Sequence, residues 1–366
     1  MVTADLAEPV GCRRRAGTGL RTRGAHAYHD VAVATPMSRA FAPAILAAMA
    51  LAGTTLRVAA VPAPDDGAAI RVVATTTQCA DLARQVCAGI ADFGVDGLMH
   101  AGVDPHLWRP TVSDVRQLAS ADAVVCNGLM LEGRMSDVFP KLARRGTRVV
   151  ELATAIPMDR LIAEGDGHAA ADPHVWMDPA IWSSAAQTLA ESLATLRPSR
   201  AAELRTNADR FAARCEAVAR SIERAVATVP ARARLMVTAH DAFRYFGRAF
   251  GIEVRGVQGI STESQAGLAD MRTLADMLID RAVPAVFVET SVPDRAVAAL
   301  IESASLRGHP IRIGGALFSD AMGASGTAEE CWDGMMLHNA RTIVEALGGD
   351  ASSIAAAPDA RPEATP

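Results

Sequence analysis

The chain has 366 residues, half of them hydrophobic and 21% charged, which argues against long disorder and leaves room for two domains at roughly 150 residues each. Its formal net charge is −5, which disfavours nucleic acid as a partner. The charge is uneven: residues 1–39 carry six Arg against three acidic residues, and the remainder carries 30 basic against 38 acidic residues, a body suited mainly to solubility and weakly to a cationic ligand.

Residues 1–36 show no apolar periodicity and read as a disordered upstream extension. Met37-Ser38-Arg39 is a basic start, Ala40–Gly53 an apolar run and Val58-Ala59-Ala60 a small-residue exit. That order describes a secretory signal over 37–60, with a run shorter than the about 20 residues of a membrane span. The start is expected at Met37. No Cys lies between Cys12 and Cys79, so a lipoprotein anchor is not expected and the reading is a soluble periplasmic protein. A linker follows over 61–69. Export permits disulfides, yet Cys79, Cys87, Cys126, Cys215 and Cys331 are odd in number and lack a C-x-x-C pair. Most of them read as small buried hydrophobes.

An N-terminal α/β lobe is expected over 70–197. Its strands are Ile70–Thr75, Phe93–Met99, Ala123–Cys126 and Arg148–Leu152. Its helices are Gln78–Ala88, Thr111–Ala119 (capped by Thr111 or Ser113) and Leu131–Arg145. Pro198–Val229 differs: Leu204, Phe211, Cys215, Val218, Ile222 and Val226 recur at helical spacing with no Gly or Pro after Ser199. This predicts one long amphipathic helix of about 45 Å joining two lobes. Alternation resumes in a C-terminal lobe over 230–348. Strands are expected at Arg234–Thr238, Ile252–Val257, Ala285–Glu289 and Ile311–Ile313. Helices are expected at Asp241–Phe250, Gly267–Arg281, Arg295–Leu306 and Glu329–Leu347. The Ala/Pro-rich tail over 349–366 reads as disordered. The fold class is therefore α/β, two lobes, each with a four-stranded mainly parallel sheet flanked by helices, joined by one long backbone helix.

In open α/β sheets, ligands sit beyond the carboxyl ends of the strands. Four polar residues fall there: His106 in GVDPHLWRP, His174 in ADPHVWMDP, His240 in TAHDAF and Asp320 in LFSDAMG. Three imidazoles and a carboxylate suit a divalent transition metal. The competing readings are solvated loop histidines, or two DPH segments that serve only as capping turns. His100, His309 and His338 lack paired context, His168 sits in a Gly/Ala-rich loop, and His26 and His29 precede the signal.

The stretches VVATTTQCADLARQV, GVDPHLWRPTVSDVRQLASADAVVCNGLMLEG, DPHVWMDPAIW, VTAHDAFRYFGRAFGIEVRGVQGISTESQAGLADM, VFVETSVP and GGALFSDAMGASGT span about 71 to 347. On them the chain resembles the metal-binding receptors of manganese/zinc ABC importers, the TroA/ZnuA-type family. The resemblance implies two α/β lobes bridged by a long helix, and one cation at the lobe interface held by His106, His174, His240 and Asp320. It implies Zn2+ or Mn2+ as transported ligand, with Fe2+ admissible, and a separate ABC-transporter membrane permease with its cytoplasmic ATPase as partners of a monomer. Zinc-dedicated members often carry a long His-rich acidic loop, and here that region offers only His168. Manganese-selective members often have Glu at the third ligand position, which here is His240. The chain is thus expected not to be an enzyme. Two other functions remain open: a zinc-dependent hydrolase with Glu289 as base, and a stand-alone periplasmic metal chaperone.

Overall fold

The apolar run Ile70–Ala74 becomes β1, which pairs with β2 (Phe93–Gly97) on one side and β3 (Ala123–Cys126) on the other. Beyond β3 lies β4 (Arg148–Glu151), giving a parallel sheet of order β2-β1-β3-β4. β3 is buried along its whole length, as expected where helices cover both faces of a parallel sheet. The computed structural model describes residues 67–163, 170–263 and 267–354. The expectations for the upstream extension, the signal segment, residues 61–66 of the linker and His168 lie outside the described residues. Among those described, no helix is long and apolar enough to cross a membrane.

Helix α1 (Thr77–Val86) starts where the Thr76 side chain accepts the Cys79 N–H. Helix α2 (Val112–Ala119) is capped by Thr111, whose hydroxyl accepts the Asp114 N–H while Asp114 accepts the Thr111 N–H. This reciprocal pair selects Thr111 over Ser113. The helix expected over Leu131–Arg145 is instead a 3-10 turn at Gly133–Met135 followed by the short α3 (Phe139–Ala143). Pro140 has no N–H and is tolerated only in a first turn, so the helix must restart beside it.

A helix not foreseen, α4 (Pro179–Ala194), begins at Asp178, which accepts the Ala180 and Ile181 N–H groups. It packs along α5 (Ala201–Ala227), the expected spine, which a 3-10 turn at Pro198–Arg200 introduces. At 1.5 Å per residue α5 is about 40 Å long. Its buried stripe includes Leu204, Phe211, Cys215, Val218, Ile222 and Val226. Near its start Asn207 donates to the Val86 and Ala88 carbonyls, and near its end Ser221 donates to the Ser353 carbonyl. Residues 349–354, expected to be disordered, are packed there. Ala351 and Ile354 are buried, and the Asp350 N–H donates to Thr228 Oγ1.

The second half contributes β5 (Leu235–Thr238), α6 (Arg244–Phe250), β6 (Glu253–Gly256), α7 (Leu268–Asp280), β7 (Ala285–Glu289), α8 (Arg295–Ser305), β8 (Arg312–Leu317) and α9 (Trp332–Ala346). The four strands form two parallel ladders, β5-β6 and β7-β8, with β5 beside β7, and not one continuous ladder. β8 runs further than its Ile311–Ile313 core suggests because Gly314 lets it approach α9. A Cβ at Gly314 would lie 2.7 Å from the Ala346 Cβ. The chain is thus an α/β protein of two lobes with a long helix between them. Cys79, Cys87, Cys126 and Cys215 are buried free thiols, and Cys331 is partly exposed.

Candidate metal centre

The two DPH segments build the same local turn. Asp104 Oδ1 accepts the His106 N–H at 2.9 Å, and Asp172 Oδ1 accepts the His174 N–H at 3.0 Å. Each Asp thus folds its side chain over the intervening Pro, an Asx-type turn that presents the His. His240 follows β5 directly, and its carbonyl accepts the Thr238 hydroxyl at 2.7 Å. Gly256 closes the wall behind it: a Cβ there would stand 2.4 Å from the Asp241 nitrogen and 2.6 Å from the His240 carbonyl carbon. Asp320 follows β8.

All four candidate residues are buried, and one ligand atom from each lies within 4.8 Å of all the others. His106 Nε2 and His174 Nε2 are 3.4 Å apart. Asp320 Oδ1 is 3.3 Å from His174 Nε2, and Oδ2 is 3.1 Å from His240 Nε2 and 3.8 Å from His106 Nε2. A tetrahedral ion with bonds of about 2.0–2.1 Å spaces its donors about 3.3 Å apart, so the spacing fits one ion. The Asp320 side chain is fully buried, and its oxygens receive no hydrogen bond from outside the cluster. A buried carboxylate surrounded by imidazole edges suits a cation held between them. This is the only such group of His, Cys and acidic residues among the described residues.

The outer nitrogens of two imidazoles meet carboxylates. His174 Nδ1 is 2.8 Å from Asp172 Oδ1, and His240 Nδ1 is 2.6 Å from Glu289 Oε2. Glu289 Oε1 also accepts the His240 N–H at 2.8 Å. Such partners fix the ring so that Nε2 faces inward, and they raise its basicity as a ligand. Glu289 therefore lies on the far side of the His240 ring from the cluster, in the position of an orienting partner and not of a base for bound water. Asp172 is held in turn by Tyr245, whose hydroxyl donates to the Asp172 carbonyl at 2.9 Å.

Electrostatics divides the imidazoles. Burial pushes His106 down to about 4. Burial also pulls at His174, but the Asp172 and Asp320 carboxylates more than offset it and raise that ring to about 9. His240 is raised for the same reason by Glu289 and Asp320 against its burial. Asp320 is buried too, yet His240 and His174 hold its carboxyl well below the usual range. A negative charge thus faces two proton-bearing rings, the charge pattern a divalent cation replaces.

The other histidines stand apart. His100 is exposed beside the Ala101 carbonyl, His309 Nε2 is 3.1 Å from the Val283 carbonyl, and His338 Nδ1 is 3.2 Å from Glu329. Sequence reasoning missed the contribution of Asp172 to the ring of His174, although the repeated DPH held its signal. It missed Tyr245 outright, because a hydroxyl 73 residues from its acceptor leaves no local trace.

A family model described as ZnuA, zinc-uptake complex component A, periplasmic, matches residues 72–346. The chain is 41% identical over 304 residues to the zinc-binding protein TroA of Treponema pallidum (strain Nichols), covering 83% of this chain and 96% of that protein. It is 39% identical over 278 residues to the manganese-binding lipoprotein MntA of Bacillus subtilis (strain 168), covering 76% of this chain and 90% of that protein. The solved structure of the periplasmic zinc-binding protein TroA from Treponema pallidum matches with a TM-score of 0.72 at 42% identity, over 76% of this chain and 99% of that one.

Proposed function

The chain belongs to the ZnuA family of periplasmic zinc-uptake components, and from that premise we propose that it is an extracytoplasmic receptor for a divalent transition metal. It captures Zn2+ or Mn2+ through His106, His174 and His240 Nε2 and the Asp320 carboxylate. It delivers the ion to the membrane permease of an ABC importer that a cytoplasmic ATPase drives. The observation that carries this reading is the buried Asp320 carboxylate, whose oxygens lie 3.1–3.8 Å from the Nε2 atoms of three imidazoles.

Nitrogen-rich donors favour Zn2+ over Mn2+. Both Asp320 oxygens face the imidazoles, and bidentate use would supply the fifth donor that admits Mn2+ or Fe2+. The ion is cargo and undergoes no chemistry, so the protein is a receptor and not an enzyme. It works as a monomer on the outer side of the cytoplasmic membrane, where the periplasmic family model places its members. Competitive titration of chelator-stripped protein with Zn2+ and Mn2+ tests the reading. It expects one saturable site per chain and a severe loss in His240→Ala. Absence of saturable binding, or undiminished binding in His240→Ala, would refute it.

A further inference from the structure

Asp320 is the one carboxylate of the cluster, and its own oxygens receive no hydrogen bond from outside the cluster that could aim them. Its direction must come from the backbone on either side. The Ser319 carbonyl accepts two buried donors, the Gln78 amide Nε2 at 3.2 Å and the Trp176 indole at 3.1 Å. Three residues later the Met322 N–H donates to Thr77 Oγ1 at 2.9 Å. The Thr77 hydroxyl donates in turn to Gln78 Oε1 at 3.1 Å, which turns the Gln78 amide so that its Nε2 meets Ser319. Two consecutive residues in the first turn of α1 therefore bracket Asp320 from both flanks. Both belong to the first half of the chain, more than 240 residues from the loop that they hold.

We propose that Thr77 and Gln78 are positioning residues that set how Asp320 meets the metal, and through it the preference among cations. The inference rests on the four-residue cluster being the metal site. With the bracket intact, Oδ1 faces His174 and Oδ2 faces His240, so both oxygens are offered to one ion. An ion content with four donors, such as Zn2+, needs only one of them. An ion that prefers oxygen and more ligands, such as Mn2+, needs both. Loosening the bracket frees the carboxylate to rotate, and the second oxygen is lost first. Mn2+ binding should therefore suffer more than Zn2+ binding.

The test compares Gln78→Met, which removes the amide at similar volume, Thr77→Val, which removes the hydroxyl, and Thr77→Ser, which keeps it. Each full-length protein is stripped with chelator, checked for a cooperative melt, and titrated with Mn2+ and with Zn2+; its Co2+ adduct is examined by visible absorption. Loss of an outer partner of a metal ligand costs about 10–100-fold in affinity, and we expect a loss of that order for Mn2+ in Gln78→Met and Thr77→Val. Zn2+ should change less, the Co2+ spectrum should shift toward four-coordination, and Thr77→Ser should behave as wild type. Thr77 is only partly buried, so Thr77→Val decides the matter should Gln78→Met not fold. Folded variants with the wild-type Mn2+/Zn2+ ratio and Co2+ spectrum would overturn the proposal. So would equal losses for both ions, which would mark a merely structural role. A wild-type protein that binds neither ion would instead refute the metal site itself, and this inference with it.

Discussion

His174 is pulled by burial toward the neutral form and by Asp172 and Asp320 toward the charged one, and the carboxylates win, raising it to about 9. A ligand nitrogen must be free of its proton, so at pH 7 an incoming cation should displace protons from His174 and from His240, which Glu289 and Asp320 also raise. His106, pushed down to about 4, is already neutral and releases none. The sign follows: a raised imidazole competes with the metal below its own pKa, so affinity should climb as pH rises from 6 toward 9. Titration calorimetry in buffers of different ionisation enthalpy should find about one to two protons released per ion at pH 7. Binding independent of pH over that range would contradict the assigned protonation. The outer carboxylates matter too. Glu289→Gln should weaken metal binding about 10–100-fold, because the His240 ring loses the charge that orients it and raises its basicity. His309→Ala, whose ring meets only the Val283 carbonyl, should leave binding unchanged. Equal losses in the two variants would show that the site lies elsewhere.

The elements differ in how they support this residue chemistry. Helix α5 buries Phe211 completely, and Phe211→Ala should cost about 3–5 kcal/mol in denaturant unfolding with little change in metal preference. Gly256→Ala should reach the site as well. Its new Cβ would collide with the backbone of His240 and Asp241, so metal binding should fail in protein that still folds. A variant that bound normally would mean that β6 does not fix His240. These elements were legible in the sequence to different degrees, for physical reasons. The spine showed because 27 residues repeat one apolar stripe. Helix α4 did not, although its buried residues recur in pairs every four positions from Ile181 to Ala194, because half of those residues are Ala, which marks a buried face weakly. Pro140 broke a helix that the apolar spacing alone continued. His106, His174, His240 and Asp320 could be singled out because strand ends are where such sheets place ligands. The pairing of Glu289 with His240 could not, since it joins two strands 49 residues apart in sequence.

At the scale of the whole molecule, the two halves are tied together around the cluster by bonds that need no metal. Gln78 and Trp176 hold the Ser319 carbonyl, Tyr245 holds Asp172, and the Thr262 hydroxyl donates to Asp104 Oδ2 at 2.7 Å. With a stiff spine between the lobes, a cation should enter a largely formed site, so closure should be limited and the main signature of binding should be stability. Metal at a hundredfold excess over its dissociation constant should stabilise the native state by about 2.7 kcal/mol, and Asp320→Ala should abolish most of the resulting thermal shift. A mutant with the wild-type shift would exclude Asp320 as a ligand. Crystals of the Zn2+-loaded protein, measured at the zinc absorption edge, test whether one cation sits among the three imidazoles and the one carboxylate. A single anomalous peak is expected about 2.0–2.2 Å from His106, His174 and His240 Nε2 and from Asp320. A peak elsewhere, or one that leaves any of these four uncoordinated, would contradict it.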